Sequence, residues 1–257
     1  MEKGTMIGLV MAFVGVFVGA ILKGADIVAL FTNVPALLIV VVGAMGATFI
    51  GAPFAEGAAV GKYIGKAVKG NPEKNTKETI EVIVRLTNRA RTEGLLALEE
   101  DAKQLEDPFL KKGIQLAVDG TDPDALKKTL RAEVAALKER HKAGQNFLTN
   151  AGVFAPTFGI IGAVFGLMAT MAHLDDPAAI GHGISAAFVA TFWGVFLANG
   201  IFLPMANKLK RCTTEEVDHM ELVIEGVMAM QAGTSPRIVE EFLMARVPPA
   251  EREAEAA

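Results

Sequence analysis

The sequence predicts an all-α, polytopic membrane protein with four transmembrane helices and a helical cytoplasmic domain between the second and third spans. Two observations support this fold class. First, 51% of the 257 residues are hydrophobic although 21% are charged, so charge and apolarity must be segregated along the chain. Second, four uncharged segments are long enough to cross a hydrocarbon layer, and no segment has the alternating pattern of a strand.

The first two spans are predicted to form a hairpin with a short loop. Residues 5–22 carry no charge, and as a helix they extend about 27 Å, close to the thickness of a bilayer core. A cleaved signal peptide is the alternative, but the apolar run is longer than a typical signal core and residues 23–26 are a poor cleavage context. The second span, residues 34–54, begins with Pro35 at a position that a helix tolerates.

Residues 56–150 have a different character, because 17 of the 25 Lys and Arg side chains lie there. Asp122 and Pro123 are a strong helix start, an N-cap followed by proline at the first helical position. Only Gly144 interrupts the pattern after them, so one long helix is predicted to continue into the third span. Shorter amphipathic helices are predicted before it, at about 56–68, 77–91, 95–105 and 108–118.

The third and fourth spans, residues 151–172 and 183–206, form the second predicted hairpin. Residues 207–257 follow, with an amphipathic helix from Arg211 to about Gln231, a short helix and a disordered tail. Counted together, 23 of the 25 basic residues lie in segment 56–150 or after residue 207. The positive-inside rule therefore places both regions and both termini in the cytoplasm. The predicted domains are 1–55, 56–150, 151–206 and 207–257.

Several classes of function are not indicated by the sequence. A formal net charge of -4 gives no reason to expect nucleic acid as a partner, and Cys212 is the only cysteine. No P-loop, GxSxG or HExxH motif is present, and the four histidines are scattered without metal-ligand spacing. We therefore expect neither an enzyme nor a bound metal or other cofactor.

The apolar cores of the four spans contain no Asp, Glu, Lys, Arg or His. Ionisable groups inside a membrane usually mark ion or proton pathways, and a proton carrier that acts alone needs one. Either the four helices are a structural scaffold that conducts nothing, or a partner protein supplies the carboxylate.

Small residues favour the second alternative. They share one helix face in each of the last two spans, which allows close packing on each other, on sister subunits or on a foreign helix. Pro156 and Pro204 each leave a backbone carbonyl without its usual donor. Thr191 offers a hydroxyl that either faces the path or bonds back to the preceding turn. The small faces comprise Gly159, Ala163 and Gly166 in the third span, and Ala187, Thr191, Gly194 and Ala198 in the fourth.

Four motifs in one order resemble those of MotA/PomA-type flagellar motor stator subunits: APTFGIIGAVFGLM, DDPAAIG, TFWGVFLANGIFLPMANKL and EGVMAMQAGTSPRIVEEFL. The resemblance implies a homo-oligomer, a pentamer, in the bacterial cytoplasmic (inner) membrane around MotB/PomB-type partners. Each partner has a single span that bears an aspartate. Ion binding and release there would drive the ring against a rotor protein of the FliG type.

The resemblance also assigns residues of the ion path. The family's membrane prolines correspond to Pro156 and Pro204, and its ring threonine to Thr191. Sodium-type members carry a threonine where this chain has Ala163 and an aspartate where it has Asn33. Alanine offers no oxygen to replace the hydration shell of sodium, so proton coupling is expected. The extra hydroxyl of Thr157 beside the first proline leaves sodium coupling open.

The stretch ARTEGLLALEE resembles the charged segment of the family that faces the rotor. The rotor-facing arginine corresponds to Arg91 and its acidic counterpart to Glu99, while Arg89 and Glu93 are expected to assist. A solvated helix face is the alternative interpretation. Sodium-type members tend to have a lysine where this chain has Thr92. A related ExbB/TolQ-type proton-driven energiser is also possible, but those proteins have three spans and lack the first hairpin.

Overall fold

The computed structural model describes residues 3–72 and 75–247, which form helices joined by short turns and contain no strand. The chain divides into two compact units, residues 1–70 with 141–212 and residues 71–140 with 213–257. We call them the apolar unit and the amphipathic unit. The all-α prediction is confirmed for the described residues. The predicted disordered tail lies almost entirely outside them.

The unit boundaries differ from the predicted domain boundaries for a physical reason. The helix before Gly70 packs with the spans, because Ala67 and Leu148 are fully buried in a cluster with Met205 and Leu209. Residues 56–70 and 141–150 therefore belong to the apolar unit. Residues 213–247, predicted as a separate segment, share the core of the amphipathic unit.

The first half of the apolar unit is a series of one long and several short helices. The predicted second span is helical only to Ile50, because Gly51 leaves the helix and Pro53 begins a new one. A π-helical segment, Leu38–Val42, lies inside it. The helices are α1 (Lys3–Leu22), α2 (Ile27–Thr32), α3 (Val34–Leu37), α4 (Gly43–Ile50), α5 (Phe54–Ala58) and α6 (Val60–Lys69).

The second half of the chain contains two very long helical stretches. The first, α10 (Pro123–Met171), has 49 residues and confirms the predicted continuation into the third span. The second comprises α11 (Pro177–Phe196), the π-helical segment Leu197–Phe202 and α12 (Leu203–Gln231). The predicted new helix after Arg211 is instead part of this continuous stretch, because no helix-breaking residue follows Pro204 before its end.

Three described helices are long and apolar enough to cross a membrane: Lys3–Leu22, Pro123–Met171 and Pro177–Gln231. The apolar stretch Val34–Ile50 is shorter. By length and composition alone, three described helices qualify as spans and the second predicted span is shorter, so the predicted count of four stays a prediction.

One hydrogen bond ties the first hairpin to the fourth span. Trp193 donates its Nε1–H to the carbonyl of Leu30 over 2.7 Å. Leu30 lies in the last turn of α2, where carbonyls have no donor within the helix. Aromatic rings surround this bond, with Phe31 and Phe192 in edge-to-face contact with the indole. The indole of Trp193 therefore satisfies the Leu30 carbonyl, and the surrounding rings hold α2 against the fourth span.

The amphipathic unit has a conventional apolar core. Its helices are α7 (Thr76–Glu93), α8 (Leu98–Gln104), α9 (Pro108–Val118), the first part of α10, the last part of α12, and α13 (Pro236–Met244). Ile83 and Leu243 are completely buried, and Gly226 allows both to approach α12. Asp107 caps α9 by accepting the N–H groups of Phe109 and Leu110.

Candidate ion path and charged surface

The third and fourth spans approach each other through bare backbone. A Cβ atom added at Gly194 would lie 2.7 Å from the carbonyl oxygen of Ala155 and 2.9 Å from the Cα of Gly159. One added at Gly159 would lie 3.0 Å from the carbonyl oxygen of Ala190. Only glycine permits this separation, so both glycines are required by the contact between α10 and α11.

The same contact continues along both helices. A Cβ at Gly166 would lie 2.9 Å from the carbonyl oxygen of Gly183 and from the nitrogen of Ala187. Thr170 closes this end by donating its hydroxyl to the carbonyl of Gly166. Of the three partners that the small faces allowed, the structure shows the first: the two faces pack on each other. Ala163 lies between these glycines in sequence and is half-buried.

Pro156 and Thr191 lie at the middle of this contact. The Cα of Pro156 would be 3.2 Å from a Cβ at Gly194, and the proline is half-buried. The Thr191 hydroxyl donates to the carbonyl of Ala187 over 3.1 Å, the back-bond that the sequence left as an alternative. Its oxygen retains a lone pair that can accept a further hydrogen bond. Thr191 is half-buried.

Pro204 is exposed and follows the π-helical segment Leu197–Phe202. The segment opens the turn before a residue that has no N–H and whose ring would clash with the carbonyl one turn earlier. Leu203 accordingly donates to the carbonyl of Ala198, five residues back. The predicted weakening of the helix at this proline therefore takes the form of a wider turn.

A cavity of about 830 Å³ lies at the loop end of the second hairpin, beside the loop of the first. Asp26, Asn33, His173 and His182 are among its polar lining residues. The side-chain oxygen of Asn33 accepts the N–H of Ala36 and caps α3. The sequence pointed to Asn33 alone, because the resemblance assigned no role to Asp26, His173 or His182.

The predicted rotor-facing residues fall into two groups. Arg89 is held within the protein, donating to Glu93 over 3.1 Å and to Asp101 over 2.8 Å. The pKa of the Arg89 guanidinium is raised, first by its hydrogen bond with Glu93 and next by the charge of Asp101. Asp101 was not anticipated, because it lies on α8, beyond the end of α7. This network joins the two helices.

Arg91 differs from Arg89. It is exposed and, within residues 3–72 and 75–247, it makes no ion pair. Gly94 ends α7 with a φ of 86°, a left-handed conformation that favours glycine. Arg91 and Glu99 therefore lie on different helices, and between them Leu96 is 75% exposed.

Glu99 shares a cation with its neighbour. Lys103 lies 3.5 Å from Glu99 and 3.0 Å from Glu100. The pKa of Lys103 is raised, chiefly by Glu100 and then by Glu99. All three side chains are exposed, so these pairs contribute little to stability. One lysine facing two carboxylates leaves this end of the surface acidic, opposite in sign to Arg91.

The described residues contain no group of three or more His, Cys, Asp or Glu side chains that could hold a metal ion. The structure thus places the predicted residues at two locations. Pro156, Ala163, Thr191 and Pro204 lie along the second hairpin of the apolar unit. Arg89, Arg91, Glu93 and Glu99 surround the turn at Gly94 in the amphipathic unit.

Comparison with known proteins identifies the class to which this arrangement belongs. The MotA/TolQ/ExbB proton channel family matches residues 101–222, and the Motility protein A N-terminal family matches residues 6–94. Motility protein A of Bacillus subtilis is 40% identical over 252 residues, covering 98% of this chain and 93% of the relative. Chemotaxis protein PomA of Vibrio alginolyticus is 33% identical, covering 95% and 94%.

Solved structures agree with the sequence relatives. The flagellar MotAB stator complex from Bacillus subtilis superposes with a TM-score of 0.93 at 39% identity, covering 100% of both chains. The C. jejuni MotAB structure gives 0.91 at 30% identity, covering 97% of both chains. The chain therefore belongs to the MotA/TolQ/ExbB family of ion channels. Within it, the chain is a MotA-type stator subunit of the flagellar motor and a membrane protein.

Proposed function

We propose that this subunit couples proton flow to torque together with a MotB-type partner that supplies the titrating carboxylate. The proposal rests on two properties of the second hairpin taken together: its close helix packing and its lack of ionisable side chains. Its two helices pack through close backbone contacts at Gly159 and Gly194, yet the apolar cores of both spans hold no ionisable side chain. A channel wall of this kind needs a foreign carboxylate to bind and release a proton.

The relatives support that partner, since two of the similar structures are MotAB complexes. We further propose a pentameric ring in the bacterial inner membrane, with both termini in the cytoplasm as the basic residues indicate. In this arrangement Pro156, Ala163, Thr191 and Pro204 line the path. The proposed role involves no covalent chemistry and no cofactor.

Proton coupling is tested by motility in a host that lacks its own stators. The chain and its genetic neighbour with one membrane span are expressed together, and swimming speed is measured in sodium-free medium. We expect speed to persist without sodium and to collapse when a protonophore is added. A strict sodium requirement would overturn proton coupling in favour of a PomA-type stator, and Asn33 and Thr157 would then need a new assignment.

The contact with a FliG-type rotor protein is proposed for Arg91 and Glu99. Arg91 is the better candidate of the two arginines, because Arg89 is already engaged by Glu93 and Asp101. A free guanidinium can pair with a carboxylate on the rotor, whereas Arg89 would first have to break two ion pairs.

Charge reversal tests the contact of Arg91 with the rotor. Arg91→Glu is expected to reduce swimming by about tenfold or more, the effect of replacing an attraction by a like-charge contact, with normal amounts of complex in the membrane. Arg85→Glu is the matched control, since Arg85 is also exposed on α7, and it should swim normally. Restoration of motility by an acid-to-base change in the rotor protein would identify the contact. If Arg91→Glu and Glu99→Lys both swim normally, the assignment is wrong.

A further inference from the structure

Asn199 is a polar side chain in an apolar environment, and no role was assigned to it from the sequence. It lies in the π-helical segment Leu197–Phe202 and is exposed. The residues that precede it on the same side of the helix are large, apolar and exposed as well: Ile184, Phe188 and Val195, at spacings of four, seven and four. A polar amide thus ends an apolar stripe.

The hydrogen bonding of Asn199 fixes the direction of its amide. Its Nδ2 donates to the carbonyl of Val195 over 3.0 Å. The carbonyl oxygen, Oδ1, consequently points away from the helix backbone and has no partner among the described residues. An amide oxygen left unpaired in hydrocarbon costs several kcal/mol. Asn199 must therefore face water or a polar partner and not lipid.

Backbone acceptors lie at the same level of the hairpin. Pro156 has no N–H for the carbonyl of Gly152, and Pro204 deprives the carbonyls one turn before it of a donor. Gly152 packs against Phe202, so these carbonyls and Asn199 occupy the same layer, close to the start of the third span. This layer of the hairpin is rich in acceptors that lack a helical donor.

We propose that Asn199 is a positioning residue at the cytoplasmic end of the ion path, where Oδ1 accepts a hydrogen bond from the water that receives the departing proton. This inference rests on the proposed function, because it assumes that the second hairpin lines a proton path. The Val195 carbonyl orients the amide, and the π-helical turn presents it on the exposed side.

The test compares a substitution that removes the acceptor with one that retains it, both in the stator-deficient host. Asn199→Leu removes the acceptor. Asn199→Thr retains it, because a threonine hydroxyl can donate to the carbonyl four residues back and still accept, as Thr191 does with Ala187. Ile184→Leu is the matched control, because Ile184 is exposed on the same stripe and has no contact with Asn199. Rotation speed is measured at low and at high load, and the complex is quantified by copurification with the partner.

We expect Asn199→Leu to lower low-load speed by about tenfold, the effect of losing roughly one hydrogen bond in a rate-limiting step, while torque at high load falls much less. Asn199→Thr and Ile184→Leu should behave like the unchanged protein. Normal low-load speed in Asn199→Leu, an equal loss in Asn199→Thr, or loss of the complex in Asn199→Leu would each overturn this role. Failure of the unchanged protein to support swimming would instead refute the proposed function.

Discussion

Gly194→Ala is expected to dismantle the second hairpin and to abolish motility. The added Cβ would lie 2.7 Å from the carbonyl oxygen of Ala155 and 2.9 Å from the Cα of Gly159. Both neighbours are backbone atoms, so neither can rotate away as a side chain would. Overpacking of a core costs about 1–3 kcal/mol, and we expect the upper end of that range because α10 and α11 must separate along their length.

The matched control for this prediction lies on the same helix. A Cβ atom added at Gly181 would meet no other atom within 4 Å, so Gly181→Ala should retain motility and gain slightly in helix stability. The measurement is the midpoint temperature of unfolding of the detergent-solubilised complex, together with swimming speed. Equal unfolding temperatures for the two variants would contradict the close contact between α10 and α11.

The sequence predicted where the spans lie better than what their faces touch. The cap at Asp122, the absence of a breaker other than Gly144 before the third span, and the apolarity of that span were sufficient to predict the long helix α10, because these signals are local. The spacing of Gly159, Ala163 and Gly166 predicted a close contact but allowed three partners. Choosing among them required the position of α11, which depends on nonlocal packing around residues such as Trp193.

For ion pairs too, the sequence predicted contacts within one helix but not contacts between helices. The pair Arg89–Glu93 is visible in the sequence, since residues four apart on a helix face each other. The pair Arg89–Asp101 is not, because the turn at Gly94 lies between the two residues and sets the angle between α7 and α8. The resemblance assigned the rotor contact to Arg91 with Arg89 assisting, but without that angle nothing in the sequence indicated that a second carboxylate engages Arg89. The structure separates them into an internal ion pair and an exposed cation.

A local irregularity explains why the sequence did not mark Asn199. A sequence pattern based on 3.6 residues per turn does not represent a π-helical turn, which contains an extra residue. Pro204 signalled a weakened helix, but not which residues the wider turn would expose. The polar character of Asn199 was visible in the sequence, whereas its exposure and the orientation of its amide depend on the backbone of Leu197–Phe202.

Asp107→Ala is expected to destabilise the amphipathic unit more than the loss of an ordinary helix cap. One oxygen of Asp107 caps α9 through Phe109 and Leu110, and the other is hydrogen-bonded to Nε2 of His219. Loss of a cap costs about 1 kcal/mol. The histidine adds to this, because its side chain is only 7% exposed and its Nδ1 already has no partner among the described residues.

With Asp107 removed, Nε2 of His219 would lose its partner and join Nδ1 as a buried ring nitrogen without one among the described residues, at a cost of about 1–3 kcal/mol beyond the cap. Asp122→Ala is the matched control, since Asp122 caps α10 with the same geometry through Asp124 and Ala125 and has no histidine beside it. Hydrogen exchange of the α9 amides and thermal unfolding of the intact complex measure the difference.

A second substitution separates the lost cap from the lost histidine partner, which both result from Asp107→Ala. His219→Phe added to Asp107→Ala should recover part of the lost stability, because it removes the unpaired ring nitrogens. Equal losses in the two capping variants would show that His219 does not depend on Asp107.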